Sequence, residues 1–368
     1  FLAQRAGAPA AIVSASHNPW QDNGVKLVGP DGRKLADETE AAIEALLMVG
    51  FASEGAADAA VERRDSSVAR VGDLDAYLEH LLGALDGRSL DGLRVVIDCA
   101  NGAAYEIGPR ALRVAGAEVE VLHAAPDGRN INDGCGSTDP SELQRAVVDH
   151  GAHLGLALDG DADRVVAVDE KGELVDGDQI MVMTALDWHE RKMLRNDAIA
   201  VTVMSNLGLR RALVAGGVAI VETPVGDRSV TAAMAAHDLA MGGEQSGHIV
   251  FADLATTGDG VLTGLIVADL VARRAVDLST LAASMTRLPQ VLVNVRLARK
   301  IDLAEAPGVA RAIREVEAGL GDRGRVLVRS SGTEPLLRVM VEAPTAAEAE
   351  AAAARIAAMV SDLNRGAS

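Results

Sequence analysis

Apolar positions along the chain follow two alternating rhythms. Short β-branched runs at residues 10–13, 93–99, 119–122, 154–158, 198–204 and 218–221 predict strands. Between them the spacing turns helical. Leu74, Tyr77, Leu78, Leu81, Leu82 and Leu85 recur at i, i+3 and i+4, which predicts a helix with one buried face. Further helices are predicted at 109–115, 209–214 and 260–273, and from a cap at Asp227 to about residue 237. Ser141 followed by Gln144 has the spacing of a capping box for another. Strands alternating with helices predict α/β domains on parallel sheets, with ligand loops at the carboxyl ends of strands.

After about residue 285 the rhythm changes. A strand at 290–297, a helix at 307–320, strands at 326–329 and 336–342 and an Ala-rich helix at 346–363 give the order βαββα. That order predicts a separate α+β domain. Domain boundaries are expected near residues 68, 174 and 285.

Composition narrows the function. The 368 residues are enough for two to four domains and need no disulfide or metal staple. Aromatics are 2%, so the core must be aliphatic, and base stacking is a poor basis for binding. A net charge of −18 opposes nucleic-acid and anionic-membrane partners. No run reaches the ~18–20 apolar residues of a spanning helix, and no basic-then-apolar leader precedes the first motif. The two cysteines, Cys99 and Cys135, make no disulfide framework, so a reduced, cytoplasmic location is expected.

Four loops carry candidate chemistry. Asp159-Gly160-Asp161-Ala162-Asp163-Arg164 directly follows a strand, and three alternating carboxylates can converge on one hard cation. A solvated acidic turn is the plainer alternative, but burying three like charges without a cation would be costly. An EF-hand is excluded because its sixth position would be Arg164, where the turn needs Gly. Ser14-Ala15-Ser16-His17-Asn18-Pro19 sets a serine at a strand-to-loop turn beside His and Asn, as a nucleophile, a phosphate carrier or an ordinary turn. No G-x-S-x-G elbow accompanies it. Gly242-Gly243-Glu244-Gln245-Ser246-Gly247-His248 suits a loop that hydrogen-bonds a polyol, or a tight turn. Arg329-Ser330-Ser331-Gly332-Thr333-Glu334-Pro335, with Arg338, offers backbone N–H groups, hydroxyls and two guanidiniums to a phosphate, or is a plain hairpin loop. Walker-A spacing is absent.

These four segments, in this order, resemble the α-D-phosphohexomutase superfamily over essentially the whole chain. Asp22-Asn23-Gly24-Val25-Lys26, the stretch from Asn132 to Pro140, Ser205-Asn206-Leu207-Gly208-Leu209 and Thr256-Thr257-Gly258-Asp259-Gly260 add to the likeness. The resemblance implies three α/β domains with mixed sheets and a C-terminal α+β domain around one cleft. These would be residues 1–68 with the serine loop, 69–174 with the metal loop, 175–285 with the sugar loop and 286–368 with the phosphate loop. It implies that Ser16 is a phosphoserine and that Asp159, Asp161 and Asp163, with the serine phosphate, hold one Mg²⁺. Arg164 would sit beside the transferring phosphoryl group, with His17 and Lys26 as proton-transfer partners. Glu244, Ser246 and His248 would read sugar hydroxyls. Arg329, Ser331, Gly332, Thr333 and Arg338 would hold the non-reacting phosphate.

The implied substrate is a phosphorylated amino sugar, with a sugar 1,6-bisphosphate as intermediate and activator and a monomer or homodimer as the working form. Members acting on mannose or glucose phosphates, and a catalytically inactive sugar-phosphate binder, remain alternatives. The family's Gly-Thr-Asp-Gly-Ile-Arg-Gly segment does not precede the serine loop here, so the first domain is expected to be N-terminally truncated. Pro224 and Ser229 stand where the family has Lys and Tyr, which could shift sugar preference.

Overall fold

The computed structural model describes residues 1–52, 74–297, 306–330 and 335–366. The elements begin with α1 (Leu2–Ala6), β1 (Ala10–Ser14), β2 (Gly24–Val28) and α2 (Asp37–Ala52). Next come α3 (Leu74–Gly83), β3 (Arg94–Asp98), α4 (Ile107–Val114), β4 (Glu118–Leu122), α5 (Ser141–Asp149), β5 (Leu154–Leu158), β6 (Val165–Asp169) and β7 (Leu174–Val175). Then follow α6 (Gly177–Glu190), β8 (Ala198–Thr202), α7 (Leu207–Ala215), β9 (Ala219–Thr223), α8 (Asp227–Ala236), β10 (Met241–Gly243), β11 (Ile249–Phe251), α9 (Gly260–Arg274) and α10 (Leu278–Ala282). The last are β12 (Gln290–Arg296), α11 (Pro307–Leu320), β13 (Arg325–Ser330), β14 (Leu336–Glu342) and α12 (Ala346–Gly366). They fall into two compact units, residues 1–203 with 221–282, and residues 204–220 with 283–368. The boundary expected near 68 lies outside the described residues.

In the first unit, β1 and β2 pair antiparallel with Ser14 opposite Gly24, so the hairpin loop carries Ser16. A five-stranded sheet runs β4-β3-β5-β6-β7. Its β4, β3 and β5 are parallel, as the strand–helix alternation predicts, but β6 and β7 turn back antiparallel. The sheet is thus mixed, as the family resemblance implies, where the strand–helix alternation alone points to a parallel one. The physical reason is the short 159–164 connection, which leaves no length for a crossover helix. Every residue of β5 and β6 is buried, and the core around them is Val96, Leu143, Val147, Ala157, Val166 and Val168. The other sheet, β11-β10-β8-β9, places the 244–248 loop between antiparallel β10 and β11. Helix α9 packs on β5, β6, α4 and α6. It is buried at every position from Gly260 to Val271, which explains its near-continuous apolar sequence. Asp259 caps it by accepting from Leu262 N–H at 2.9 Å.

Two predicted caps differ. Pro140, not Ser141, is the N-cap of α5, and Gln144 donates instead to the Gly172 carbonyl at 2.7 Å. With the helix starting one residue early, Ser141 is already inside it and cannot close the box. Gly226 precedes α8, and Asp227 lies in its first turn, drawn off by Lys34 at 2.5 Å. A genuine capping box joins Asp176 and Gln179 at the start of α6.

The second unit holds the antiparallel sheet β12-β14-β13, with α7, α11 and α12. Pro307 opens α11, where a missing N–H costs nothing. Ala349, Ala353, Ile356 and Val360 of α12 recur at helical spacing and are buried in one core with Val339 and Val341. Inside it, the fully buried Glu342 accepts from Arg325 Nε at 3.0 Å and from Leu207 N–H at 3.0 Å.

Candidate active site

The 159–164 loop caps the β5–β6 hairpin, with Leu158 paired to Val165 at its base. Its three carboxylates point together. Asp159, Asp161 and Asp163 each offer an oxygen, and these oxygens lie within 4.8 Å of one another. Asp159 Oδ2, Asp161 Oδ1 and Asp163 Oδ1 are buried without a hydrogen-bond partner. Buried carboxylate oxygens left bare and facing one another are disfavoured unless a cation joins them. The oxygen-only donor set suits Mg²⁺. Burial, then the charges of Asp163 and Asp161, push the Asp159 carboxyl up from its ordinary range. Burial acts the same way on Asp163, but His248, Lys26 and Arg164 outweigh it and hold that carboxyl low.

Cations surround the triad. Lys26, on β2, donates to Asp161 Oδ2 at 2.6 Å and Asp163 Oδ2 at 3.2 Å. Burial would favour its neutral form, yet the two carboxylates prevail and raise its pKa. Arg164 Nε lies 3.9 Å from Asp159 Oδ2 and 3.7 Å from Asp163 Oδ1, buried and without a hydrogen bond.

The serine loop lies against this loop. Ser16 adopts φ +52°, uncommon for a residue with a side chain. Its N–H donates to Ser14 Oγ at 2.7 Å, and its Oγ lies 3.4 Å from His17 Nδ1. Its carbonyl accepts from Gly160 N–H at 3.2 Å. A Cβ at position 160 would stand 2.6 Å from that carbonyl, so only glycine permits the approach. Burial, then Arg164, lowers the His17 pKa, with Asp163 and Asp161 opposing in part.

The 244–248 loop docks on the same hairpin. The carbonyl of Gly247, a residue at φ +91°, accepts from Val165 N–H at 3.2 Å, and a Cβ there would meet the Val165 carbonyl at 2.1 Å. Glu244 Oε1 accepts from Gly226 N–H at 3.0 Å, Gln245 Nε2 donates to Asp176 Oδ2 at 3.3 Å, and Ser246 is exposed. His248 departs from the expected sugar-reading role. It is 3% exposed, its Nε2 accepts from Gly258 N–H at 3.1 Å, and its Nδ1 faces Asp163 Oδ1 at 3.6 Å. Both ring nitrogens are thus turned inward, Nδ1 toward the carboxylate loop and Nε2 toward Gly258.

In the second unit, Arg329 and Arg338 are directly opposite on β13 and β14. Burial and the neighbouring Arg338 charge lower the Arg329 pKa, and Arg338 Nε is buried without a hydrogen-bond partner among the described residues. Two like charges held side by side favour an anion between or above them. Ser331, Gly332 and Thr333 lie outside the described residues.

Sequence reasoning missed the supports of these loops. Asp98, fully buried, accepts from Ala100 N–H at 2.9 Å and Gly136 N–H at 2.8 Å. Asn132 reaches the serine loop from 116 residues away. The only signal for either was its place at or after a strand's carboxyl end.

A hairpin-borne carboxylate triad, a serine loop laid against it and a sugar-type loop on the same hairpin define a phosphoryl-transfer site. Phosphoglucomutase/phosphomannomutase family profiles match along the chain. They are alpha/beta/alpha domain I at residues 1–50, domain II at 75–172, domain III at 176–288 and the C-terminal domain at 292–359. The chain belongs to this family of phosphohexomutases. Within it, the chain is 52% identical over 366 residues to the phosphoglucosamine mutase of Salinispora arenicola, covering 98% of this chain and 80% of that one. It is also 52% identical over 355 residues to the phosphoglucosamine mutase of Thermobifida fusca, covering 95% and 77%. Among solved structures, it resembles Aspergillus fumigatus N-acetylphosphoglucosamine mutase in complex with GlcNAc-6P and magnesium. That match has a TM-score of 0.74 at 23% identity, over 98% of this chain and 90% of the other. A phosphoglucomutase/phosphomannomutase family protein from Burkholderia thailandensis matches with TM-score 0.73 at 21% identity, over 96% and 76%. No helix among the described residues is long and apolar enough to cross a membrane.

Proposed function

We propose that this chain interconverts glucosamine 6-phosphate and glucosamine 1-phosphate through phosphorylated Ser16. The observation that carries the reading is the trio of bare, buried carboxylate oxygens held beside the Ser16 backbone by Gly160. Its amino-sugar specificity is supported by the names of the relatives at 52% identity. Asp159, Asp161 and Asp163 would hold one Mg²⁺, which when bound offsets charge on the phosphoryl oxygens.

The chain's own groups then have distinct tasks. In the forward half-reaction the phosphoryl group leaves Ser16 Oγ for the free O1 of the 6-phosphate. The lowered pKa of His17 keeps its imidazole free to take that hydroxyl's proton. Lys26, held charged by Asp161 and Asp163, acts as an electrostatic partner. Arg164, with its Nε unspent, faces the transferring group. The 1,6-bisphosphate turns over and returns its 6-phosphate to Ser16, leaving the 1-phosphate. Glu244 and Ser246 would read the sugar. Arg329 and Arg338, with Ser331, Gly332 and Thr333, would hold the phosphate not being transferred. A sugar 1,6-bisphosphate would prime the serine.

Four domains divided near residues 68, 174 and 285 would carry these loops in turn. The protein would work in the cytoplasm, as a monomer or homodimer, supplying amino-sugar nucleotide and cell-wall precursor synthesis. The test is Ser16→Ala. Turnover of glucosamine phosphate should vanish in a coupled assay, while calorimetry still detects sugar-phosphate binding. Near-normal turnover in that variant overturns the reading.

A further inference from the structure

The Ser16 carbonyl is gripped from two sides. Gly160 N–H donates to it at 3.2 Å, and Asn132 Nδ2 donates to it at 2.7 Å. The same Asn132 amide donates to the Asn18 carbonyl at 2.8 Å. One side chain thus ties together the residues before and after His17. Its orientation is determined by chemistry: exchanging N and O would set the amide oxygen against two carbonyl oxygens.

Asn132 is itself firmly seated. Its φ is +57°, a conformation that Asn tolerates better than most residues. Its N–H donates to the Ala100 carbonyl at 3.0 Å, and Ala100 N–H donates to the buried Asp98 at the end of β3. A continuous chain of hydrogen bonds therefore runs from the core sheet, through Ala100 and Asn132, to the backbone of Ser16. Within the β1–β2 hairpin itself, Ser16 meets Ser14 Oγ and His17 Nδ1, and a local turn joins Asn18 N–H to the Ala15 carbonyl.

We propose that Asn132 is a positioning residue for the phosphoserine. It holds residues 16–18 in the strained turn that aims Ser16 Oγ, and this proposal rests on the phosphoserine reading above. Both Asn132 amide donors are spent on main-chain carbonyls of the serine loop. Its loss should therefore appear in the transfer step and leave substrate affinity alone. Displacements of about 1 Å at a reacting atom cost up to ~10²-fold in rate.

The test uses Asn132→Asp and Asn132→Gly. Both residues accept a positive φ; the first keeps the volume and replaces the donor with an acceptor, and the second removes the side chain. Steady-state turnover of glucosamine phosphate should show kcat reduced by about 10- to 100-fold, with KM changed less than about twofold. Hydrogen–deuterium exchange should show faster exchange at amides of residues 15–18 in both variants, a readout independent of activity. If kcat in both variants stays within about twofold of the parent, the proposal is overturned. A raised KM at unchanged kcat overturns it equally, because it assigns Asn132 to ground-state binding. If the parent protein takes no phosphate onto Ser16 from glucose 1,6-bisphosphate, the functional reading fails instead. Unaltered exchange at residues 15–18 would then still refute the clamp.

Discussion

Substituting Gly160 by Ala tests how closely two loops must meet. A Cβ built at this position lies 2.6 Å from the Ser16 carbonyl oxygen and 2.6 Å from Ile131 Cδ1. The Ile131 methyl ends a flexible side chain and can rotate away. The carbonyl cannot, since Asn132 Nδ2 pulls it from one side at 2.7 Å. Ordinary contact begins near 3.4 Å, so the serine backbone must retreat by ~0.8 Å. Overpacking of this kind costs about 1–3 kcal/mol. A retreat of that size should also lower kcat by on the order of 10- to 100-fold. Two assays separate the effects: a thermal melt, in which the midpoint should fall by a few degrees, and steady-state turnover at saturating sugar phosphate. A Gly160→Ala protein with the parent's melting point and kcat would refute the reasoning. It would mean that the loops yield to each other freely.

Two further outcomes follow from buried ionisable groups. Asp187 is buried and accepts from Arg273 at 2.6 Å and Arg274 at 2.7 Å; burial alone would raise its carboxyl, but the guanidiniums hold it below the ordinary range. Because the folded value is depressed, this group stabilises the fold above its unfolded value of about 3.9, and the contribution disappears as pH falls through the folded value. Acid melts of Asp187→Asn should therefore lose less stability between neutral pH and pH 3 than the parent; an equal loss argues against it. Burial, then the Asp98 charge, pushes both Cys99 and Cys135 up to about 12. A thiol reagent at pH 8 should label neither cysteine in the native protein and both after unfolding. Prompt native labelling would contradict their burial.

The chemistry was more legible in the chain than its supports. Alternation of Asp159, Asp161 and Asp163 after an apolar run announces a convergence of carboxylates, because alternate positions can fold toward one point. The βαββα order after residue 285 is equally local, and its strands and helices match β12 to α12. The caps at Ser141 and Asp227 were misread because a start signal cannot tell the N-cap from the next residue. The Gln144 and Asp227 side chains also had distant partners in Gly172 and Lys34. The inward turn of His248 depends on Gly258 and Asp163, which sequence spacing does not place near it. In the sequence Asn132 stands only as one residue of the 132–140 stretch. Its link to Ser16 is a fact of tertiary structure.

The metal loop is the tip of a hairpin whose two strands are buried along their entire length. Its acidic residues therefore rest on a frame held by apolar strands. The same frame could accept other tips. Replacing Asp161 and Asp163 with neutral residues should yield a folded protein that binds sugar phosphate without turning it over. The fold thus separates endurance from reactivity at a single turn, and a decoy receptor for phosphorylated sugars lies only a few side chains away from the enzyme.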